Sequence, residues 1–289
     1  MEYEFRLQTN SRVELEKVTA LLRRVWPTNP RFNLGYLEWL YRDNPNGQAI
    51  AYNAFCADEV VAHYAIIPTR TEVEGELKTS ALALNAAVDE RHRKTHYTRS
   101  LFRKLAELTH QRAAQAGVDH IVAVTNANST PGFLRFLGFQ LVTPLDVRIS
   151  LTLPRPRAAN VAPQWRRKWS AEDLSWRLRN PGGRYWISGS GDCCWIVGTT
   201  KYPGVRAVLK VESDPLLRAQ SERQLPRHFT LPPVLWFGKR PELRFQGAIE
   251  VPARLRPSPF NFVFRDLTSQ NRRIAPEGVH FEAADFDVM

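Results

Sequence analysis

Ser80-Ala-Leu-Ala-Leu-Asn-Ala-Ala-Val88, followed by Asp89-Glu-Arg-His-Arg-Lys-Thr-His96, opens the stretch that decides how this chain reads. The first run is apolar and of strand length; the second is a polar, basic loop. A long helix is expected from about Tyr97 to Ala116, with Gly117 at the left-handed stop. A strand over Val118 to Val124 follows, then the turn Thr125-Asn-Ala-Asn-Ser-Thr-Pro131. Gly132-Phe-Leu-Arg-Phe-Leu-Gly-Phe139 reads as a short helix that stops at a glycine. A buried strand feeding a loop at a helix N-terminus presents unpaired backbone N–H groups and a positive dipole end. That arrangement suits a phosphate-bearing ligand.

Working outward, Ser11 and Glu14 read as a capping box. The helix they start carries the apolar stripe Val13, Leu15, Val18, Leu21, Leu22 and Val25. A second helix, from about Leu34 to Arg42, is stopped by Asp43-Asn-Pro-Asn-Gly47. Ala49 to Cys56 and Val60 to Pro68 read as antiparallel strands, and Thr71 to Lys78 as a hairpin tip. Beyond Phe139, two strands are expected at Leu141 to Val142 and Asp146 to Leu153. The proline-rich segment from Leu153 to Pro163 reads as a linker or an extended crossing.

After it an early pattern returns. Leu174-Ser-Trp-Arg-Leu-Arg-Asn-Pro181 echoes Leu37-Glu-Trp-Leu-Tyr-Arg-Asp-Asn-Pro45, and each leads into a strand–turn–strand segment. Two matched elements in the same order suggest a duplicated half. Residues 205–289 read as mainly β, with one helix near Pro215 to Gln224.

The chain has 289 residues and 43% hydrophobic content, enough for one large or two ordinary folded domains. No run reaches the eighteen or so apolar residues of a membrane span. The N-terminal residues alternate like a first strand rather than a signal peptide. Cys56, Cys193 and Cys194 have no metal-ligand spacing, so no metal is expected and a reduced, cytoplasmic protein is the simplest reading. The net charge of +11 favours an anionic partner. Apart from Arg166-Arg-Lys168 the basic residues are scattered, and no aromatic stacking motif of the RNA-recognition kind is present.

The element order over about residues 2–150 resembles the GNAT superfamily of acyl-CoA-dependent N-acyltransferases. Its strongest marks are Val88-Asp-Glu-Arg-His-Arg93 with the helix after it, and Asn126 to Ser129 with Phe133 to Phe139. The resemblance implies an α+β fold: a GNAT-like mixed sheet flanked by helices over 1–153, a linker over 154–168, and a second, mostly β, degenerate GNAT-like domain over 169–289. It also implies acetyl-CoA or another acyl-CoA as co-substrate, bound along the exposed edge of the strand that carries Ala86 and Val88. The pyrophosphate would lie on the loop Arg93-Lys-Thr-His-Tyr-Thr98. In that loop Arg93 holds the family's Arg or Gln position, while His96 and Thr98 replace small residues. Lys94, His96 and Thr98 would add side-chain contacts to the main-chain amides of Thr95 and Tyr97. Asn126 is a further candidate contact.

No catalytic residue is assigned. Leu134 stands where many members have the acid Tyr, and the central strand has no Glu; its one polar interior residue is Asn85. His63, Tyr64 and His96 are the available substitutes. Trp39 and Trp176 are candidates for a substrate groove or the core, and Glu282, Asp285 and Asp287 for a cation site or an acidic tail. The implied reaction is acyl transfer to an amine of a small molecule, such as an amino sugar. The alternatives are a Fem-like aminoacyl-tRNA-dependent transferase, the one case that brings in nucleic acid, and a non-catalytic protein that keeps the fold to bind a ligand.

Overall fold

A computed structural model describes residues 2–93, 97–157, 162–200, 202–256 and 258–286. In chain order the strands of the first part are β1 (Glu4–Leu7), β2 (Ile50–Cys56), β3 (Glu59–Val73), β4 (Glu76–Val88), β5 (His120–Thr125), β6 (Gln140–Pro144) and β7 (Asp146–Ser150). They are followed by β8 (Arg155–Pro156), β9 (Trp165–Arg167), β10 (Tyr185–Ser190), β11 (Cys193–Thr199) and β12 (Arg206–Glu212). The last are β13 (Val234–Lys239), β14 (Leu243–Arg244), β15 (Ala248–Glu250), β16 (Asn261–Asp266) and β17 (Val279–Glu282). The helices are α1 (Arg12–Val25), α2 (Leu34–Leu37), α3 (Tyr97–Gln115), α4 (Thr130–Phe136), α5 (Ala171–Leu178) and α6 (Pro215–Gln224). A π turn over Glu38–Arg42 prolongs α2 to the expected length.

Local chemistry places most of these boundaries. Ser11 caps α1 by accepting from the Glu14 amide. The reciprocal half of that capping box does not form, because the Glu14 carboxylate turns to the Thr9 amide and hydroxyl, at 2.5 and 2.6 Å. Val13 is 63% exposed and lies off the buried stripe. Ser170 and Asp173 do form a reciprocal box at α5. The expected eight-residue tip after β3 shrinks to Glu74-Gly75, both at positive φ (53° and 83°). Such a two-residue turn matches the strand twist, so the strands run on to meet it.

Among the described residues, fifteen strands form one continuous mixed sheet with helices packed on it. The first part has the order β1-β2-β3-β4-β5, and the next place is taken by a strand from far along the chain. β16 lies between β5 and β6, antiparallel to both. In return β7, one residue after β6, leaves for the other part and pairs with β13 and β15. Each part therefore lends one strand to the other. β9 and β17 close the seam, pairing with each other and with β3 and β13 respectively.

The echoed helices meet at this seam. The Trp39 and Trp176 rings stack with centroids 4.6 Å apart and planes 14° apart. Each indole N–H donates to the other's main-chain carbonyl, both at 2.9 Å. Residue i contacts j as j contacts i, the signature of a local two-fold axis. One apolar cluster lies between the first sheet and α3 (Tyr64, Leu101, Leu105, Phe133). Another lies on the opposite face under α1 and α2 (Leu15, Leu22, Tyr41), and reaches Trp176.

Candidate active site

β4 and β5 run parallel and pair at Ser80↔His120, Ala81↔Ile121 and Leu82↔Val122. There the pairing stops, although β4 continues to Val88 and β5 to Thr125. β4 stays attached to β3 as far as Val88, and β5 to β16 as far as Thr125. The two strands thus part beyond Leu82, leaving the β5-facing backbone edge of β4 without a strand partner. An open parallel edge inside a large sheet is costly unless something pairs with it.

A bulge sits in the β3–β4 ladder, on the other edge of β4 at the same level. Ala65 faces Leu84 and His63 faces Ala87, so β4 uses one more residue than β3 over this step. Asn85 takes the left-handed conformation, φ +53°, that the bulge needs and that asparagine tolerates better than other side chains. Its Nδ2 donates to Tyr41 Oη at 2.9 Å, which pulls the side chain toward α2. Tyr41 Oη and His63 Nε2 are 2.8 Å apart, and His63 Nδ1 and Asn53 Oδ1 are 2.7 Å apart. Asn53 Nδ2 donates to Gln8, Gln8 to Asn10, and Asn10 to the Ala49 carbonyl. The direction of this chain sets the tautomer. His63 carries its proton on Nδ1 and accepts from Tyr41 on Nε2. Burial pulls the His63 pKa down to about 3 and pushes the Tyr41 hydroxyl well above its usual value. His63 is therefore a satisfied, neutral core histidine that fixes the bulge from behind.

Replacing Asn85 tests the bulge. Asn85→Ala should cost about 1–2 kcal/mol, since it places an ordinary side chain at positive φ and leaves the Tyr41 oxygen short of a donor. Asn85→Gly should recover part of that cost, because glycine meets the backbone requirement. Chemical denaturation of the two variants measures the difference.

The loop after β4 is tied to itself up to Arg93. The Asp89 carboxylate accepts from the Arg91 amide (3.0 Å), the Arg91 guanidinium and Arg24 Nε (3.0 Å). These bonds, led by Arg91, hold its pKa well below the carboxylate range. The amides of Asp89, His92 and Arg93 go to the carbonyls of Val61, Asp89 and Glu90. Arg93 Nε donates to the Val88 carbonyl at 2.8 Å. Lys94, Thr95 and His96 lie outside the described residues, as do the side chains of Tyr97 and Thr98. The backbone of α3 begins at Tyr97. Ala86 and Val88 are half-buried on the edge strand, on the α3 side.

In the turn after β5, Asn126 Oδ1 accepts from the amides of Asn128 and Ser129 at 3.0 and 2.9 Å. The hydroxyl of Ser129 makes no cap bond, and that of Thr130 returns to the Asn126 carbonyl. Any ligand contact by the Asn126 side chain falls to its amide nitrogen. Tyr64 faces α3, not the bulge network. Its Oη is 2.9 Å from His110 Nε2, and Arg265 of the lent strand β16 donates to His110 Nδ1 at 2.6 Å.

On the opposite face of β4, where the two parts meet, lie two adjoining cavities of about 10 Å³ each. Both are lined by Thr69, Leu82, Arg167 and Asp285, and the larger lining set includes Leu84, Trp39 and Trp176. The tryptophans thus belong to the core, one of their two readings, and also border this cavity. Glu282 and Asp285 do not form a cation site. The Glu282 carboxylate accepts from the Val211 amide and faces Lys210 and Arg240, while Asp285 caps the turn that follows β17. Asp287 lies outside the described residues. Asp285 at a cavity wall was not foreseeable from its acidic surroundings in the sequence.

No family model and no curated protein matches this chain. Solved structures do. A GCN5-related N-acetyltransferase from Anabaena variabilis aligns over 92% of this chain and 73% of its own, with a TM-score of 0.59 at 11% identity. Eis1 from Mycobacterium abscessus aligns over 92% and 74%, with a TM-score of 0.56 at 13% identity. A GCN5-related N-acetyltransferase from Kribbella flavida aligns over 91% and 72%, with a TM-score of 0.53 at 13% identity. At such identities the likeness speaks to architecture, and it runs through both parts of the chain. The parted β4 and β5, the bulge where β4 pairs with β3 and the long helix that follows accordingly belong to a protein with the GNAT superfamily fold.

Proposed function

We propose that this chain is an N-acyltransferase that moves an acetyl or longer acyl group from acyl-CoA to an amine of a small molecule, such as an amino sugar. The observation that carries the proposal is the bare edge of β4 beyond Leu82, beside the start of α3. The amides of a pantetheine arm alternate donor and acceptor as a strand does, and pair naturally with such an edge. Ala86 and Val88 stand on it. The backbone from Arg93 through Lys94, Thr95 and His96 to Tyr97 and Thr98 then supplies the pyrophosphate contacts, helped by the positive end of α3. Asn126 bounds the far side of the gap. We read residues 1–153 and 169–289 as two halves joined by 154–168, the second half closing the acceptor side.

Placing the amine against the thioester carbon supplies a large part of the rate of a direct transfer. Release of free thiol tests the reading. Acetyl-CoA and longer acyl-CoAs are each offered with a panel of amines that includes amino sugars. Thiol release that requires both partners is expected for at least one pairing. No release above the hydrolytic background with any pairing would contradict the proposal.

A further inference from the structure

Resting on that reading, we infer that Asp285 is the proton acceptor of the transfer step, reached through a water held in the cavity between the two halves. The cavity starts at Leu82, the last β4 residue paired with β5, and extends past Leu84 toward the seam. It therefore lies behind the place where β4 leaves β5, on the face away from α3. Its volume of about 10 Å³ leaves room for about one water molecule. Among the described residues that line it, Asp285 is the one carboxylate, and Arg167 and Thr69 supply polar walls.

The fold fixes Asp285 there with some effort. Trp169 Nε1 donates to Oδ1 at 2.9 Å, and the Glu282 amide donates to Oδ2 at 2.7 Å. Arg177 of α5 holds the adjoining carbonyls of Ala284 and Phe286, at 3.1 and 3.3 Å. The charged groups around it are Lys210 on β12, Arg167 on β9, Arg177 on α5, Glu282 on β17 and, beyond Glu282, Arg240 on β13. Burial raises the Asp285 pKa above the usual aspartate value, Lys210 and Arg167 oppose that rise, and Glu282 adds to it. A carboxylate made more basic in this way takes a proton more readily than a surface one.

In the step itself the amine lone pair attacks the thioester carbon. The C–S bond breaks with its electron pair going to sulfur. The proton shed by nitrogen passes to the water as the water gives one to Asp285, and the thiolate is reprotonated from solvent.

The test uses the full chain and the best acyl-CoA and amine pairing. Asp285→Asn should lower kcat on the order of 100-fold, leave KM for acyl-CoA within about two-fold, and erase the acid limb of the pH profile. Trp169→Phe keeps the ring against Arg167 but removes the donor to Asp285, so its acid limb should move to higher pH. Asp285→Asn with kcat within three-fold of the parent, or an acid limb unmoved in Trp169→Phe, would overturn the assignment while leaving acyl transfer intact. A parent protein that binds acyl-CoA and transfers nothing would instead sink the reading on which the assignment rests.

Discussion

At pH 5, unfolding should let His63, His110 and His120 take up close to three protons, and these three should make stability fall by ~4 kcal/mol per pH unit between about pH 6 and 4. His63, His110 and His120 are each pulled down to about 3, in every case chiefly by burial. The Arg265 guanidinium adds to the effect at His110; Arg272 and Lys78 add to it at His120, where Asp266 opposes them. Each histidine is neutral in the fold at pH 5, whereas in the unfolded chain it titrates near its ordinary value of about 6.5. Below that pH the unfolded state binds more protons than the native one. The stability these groups provide is therefore complete above about 6.5 and is lost as the pH falls. Each contributes ~1.4 kcal/mol per unit, so two or three units consume the 5–15 kcal/mol of a typical domain. Asp89, Glu72 and Asp266, held below the usual carboxylate range by their partners, add a further loss at lower pH. Calorimetry in buffers of different ionisation enthalpy counts the protons. An uptake below one at pH 5 would contradict the account, and His110→Gln should remove one of the three.

Glu282→Ala should cost about 3–5 kcal/mol and lower Tm on the order of 10 °C. Glu282 is 4% exposed. Its carboxylate accepts from the Val211 amide at 2.8 Å and stands 3.4 Å from Lys210 Nζ and 3.1 Å from Arg240. Around it Lys210 also faces Glu212 at 3.5 Å, Arg240 pairs with Glu242, and His280 reaches Glu242 at 3.1 Å. Burial disfavours the Lys210 charge, but Glu282, Glu212 and Asp285 outweigh it and raise its pKa. Removing Glu282 leaves two buried cations short of a counter-ion, and that isolation causes most of the loss. Glu282→Gln keeps an acceptor for Val211 and should fall between the parent and the alanine variant. Adding Lys210→Met to Glu282→Ala should recover part of the loss, since it removes one stranded charge. Equal melting temperatures for the parent and Glu282→Ala would show that the network contributes nothing.

Local signals carried much of the fold. α6 occupies the expected Pro215–Gln224, and Gly117 at φ +78° ended α3 where expected. What failed was pairing. An apolar strand of period two states which face it buries, not which strand it joins. Nothing in Asn261 to Asp266 announces that it will leave its own half for the space beside β5. The echoed Leu-x-Trp helices were the one hint that two halves exist, and the reciprocal tryptophan contact is their trace in space. The gap between β4 and β5 was legible only through resemblance, because Ala83 to Val88 look like any buried strand. The chain from Asn85 through Tyr41 and His63 to Asn10 spans five elements or turns and has no sequence spacing to reveal it. The cavity at Asp285 depends on six segments meeting at the seam, so the carboxylate read as part of an acidic tail.

The bare β4 edge is the central claim, and amide hydrogen exchange addresses it most directly. In the free protein, the β5-facing amides of Ala83 to Val88 should exchange faster than those of the paired β10–β11 hairpin. Saturating acyl-CoA should slow exchange across Ala83 to Val88 and the start of α3, and leave β10 and β11 unchanged. Acyl-CoA that leaves exchange in residues 83–98 untouched would contradict the account.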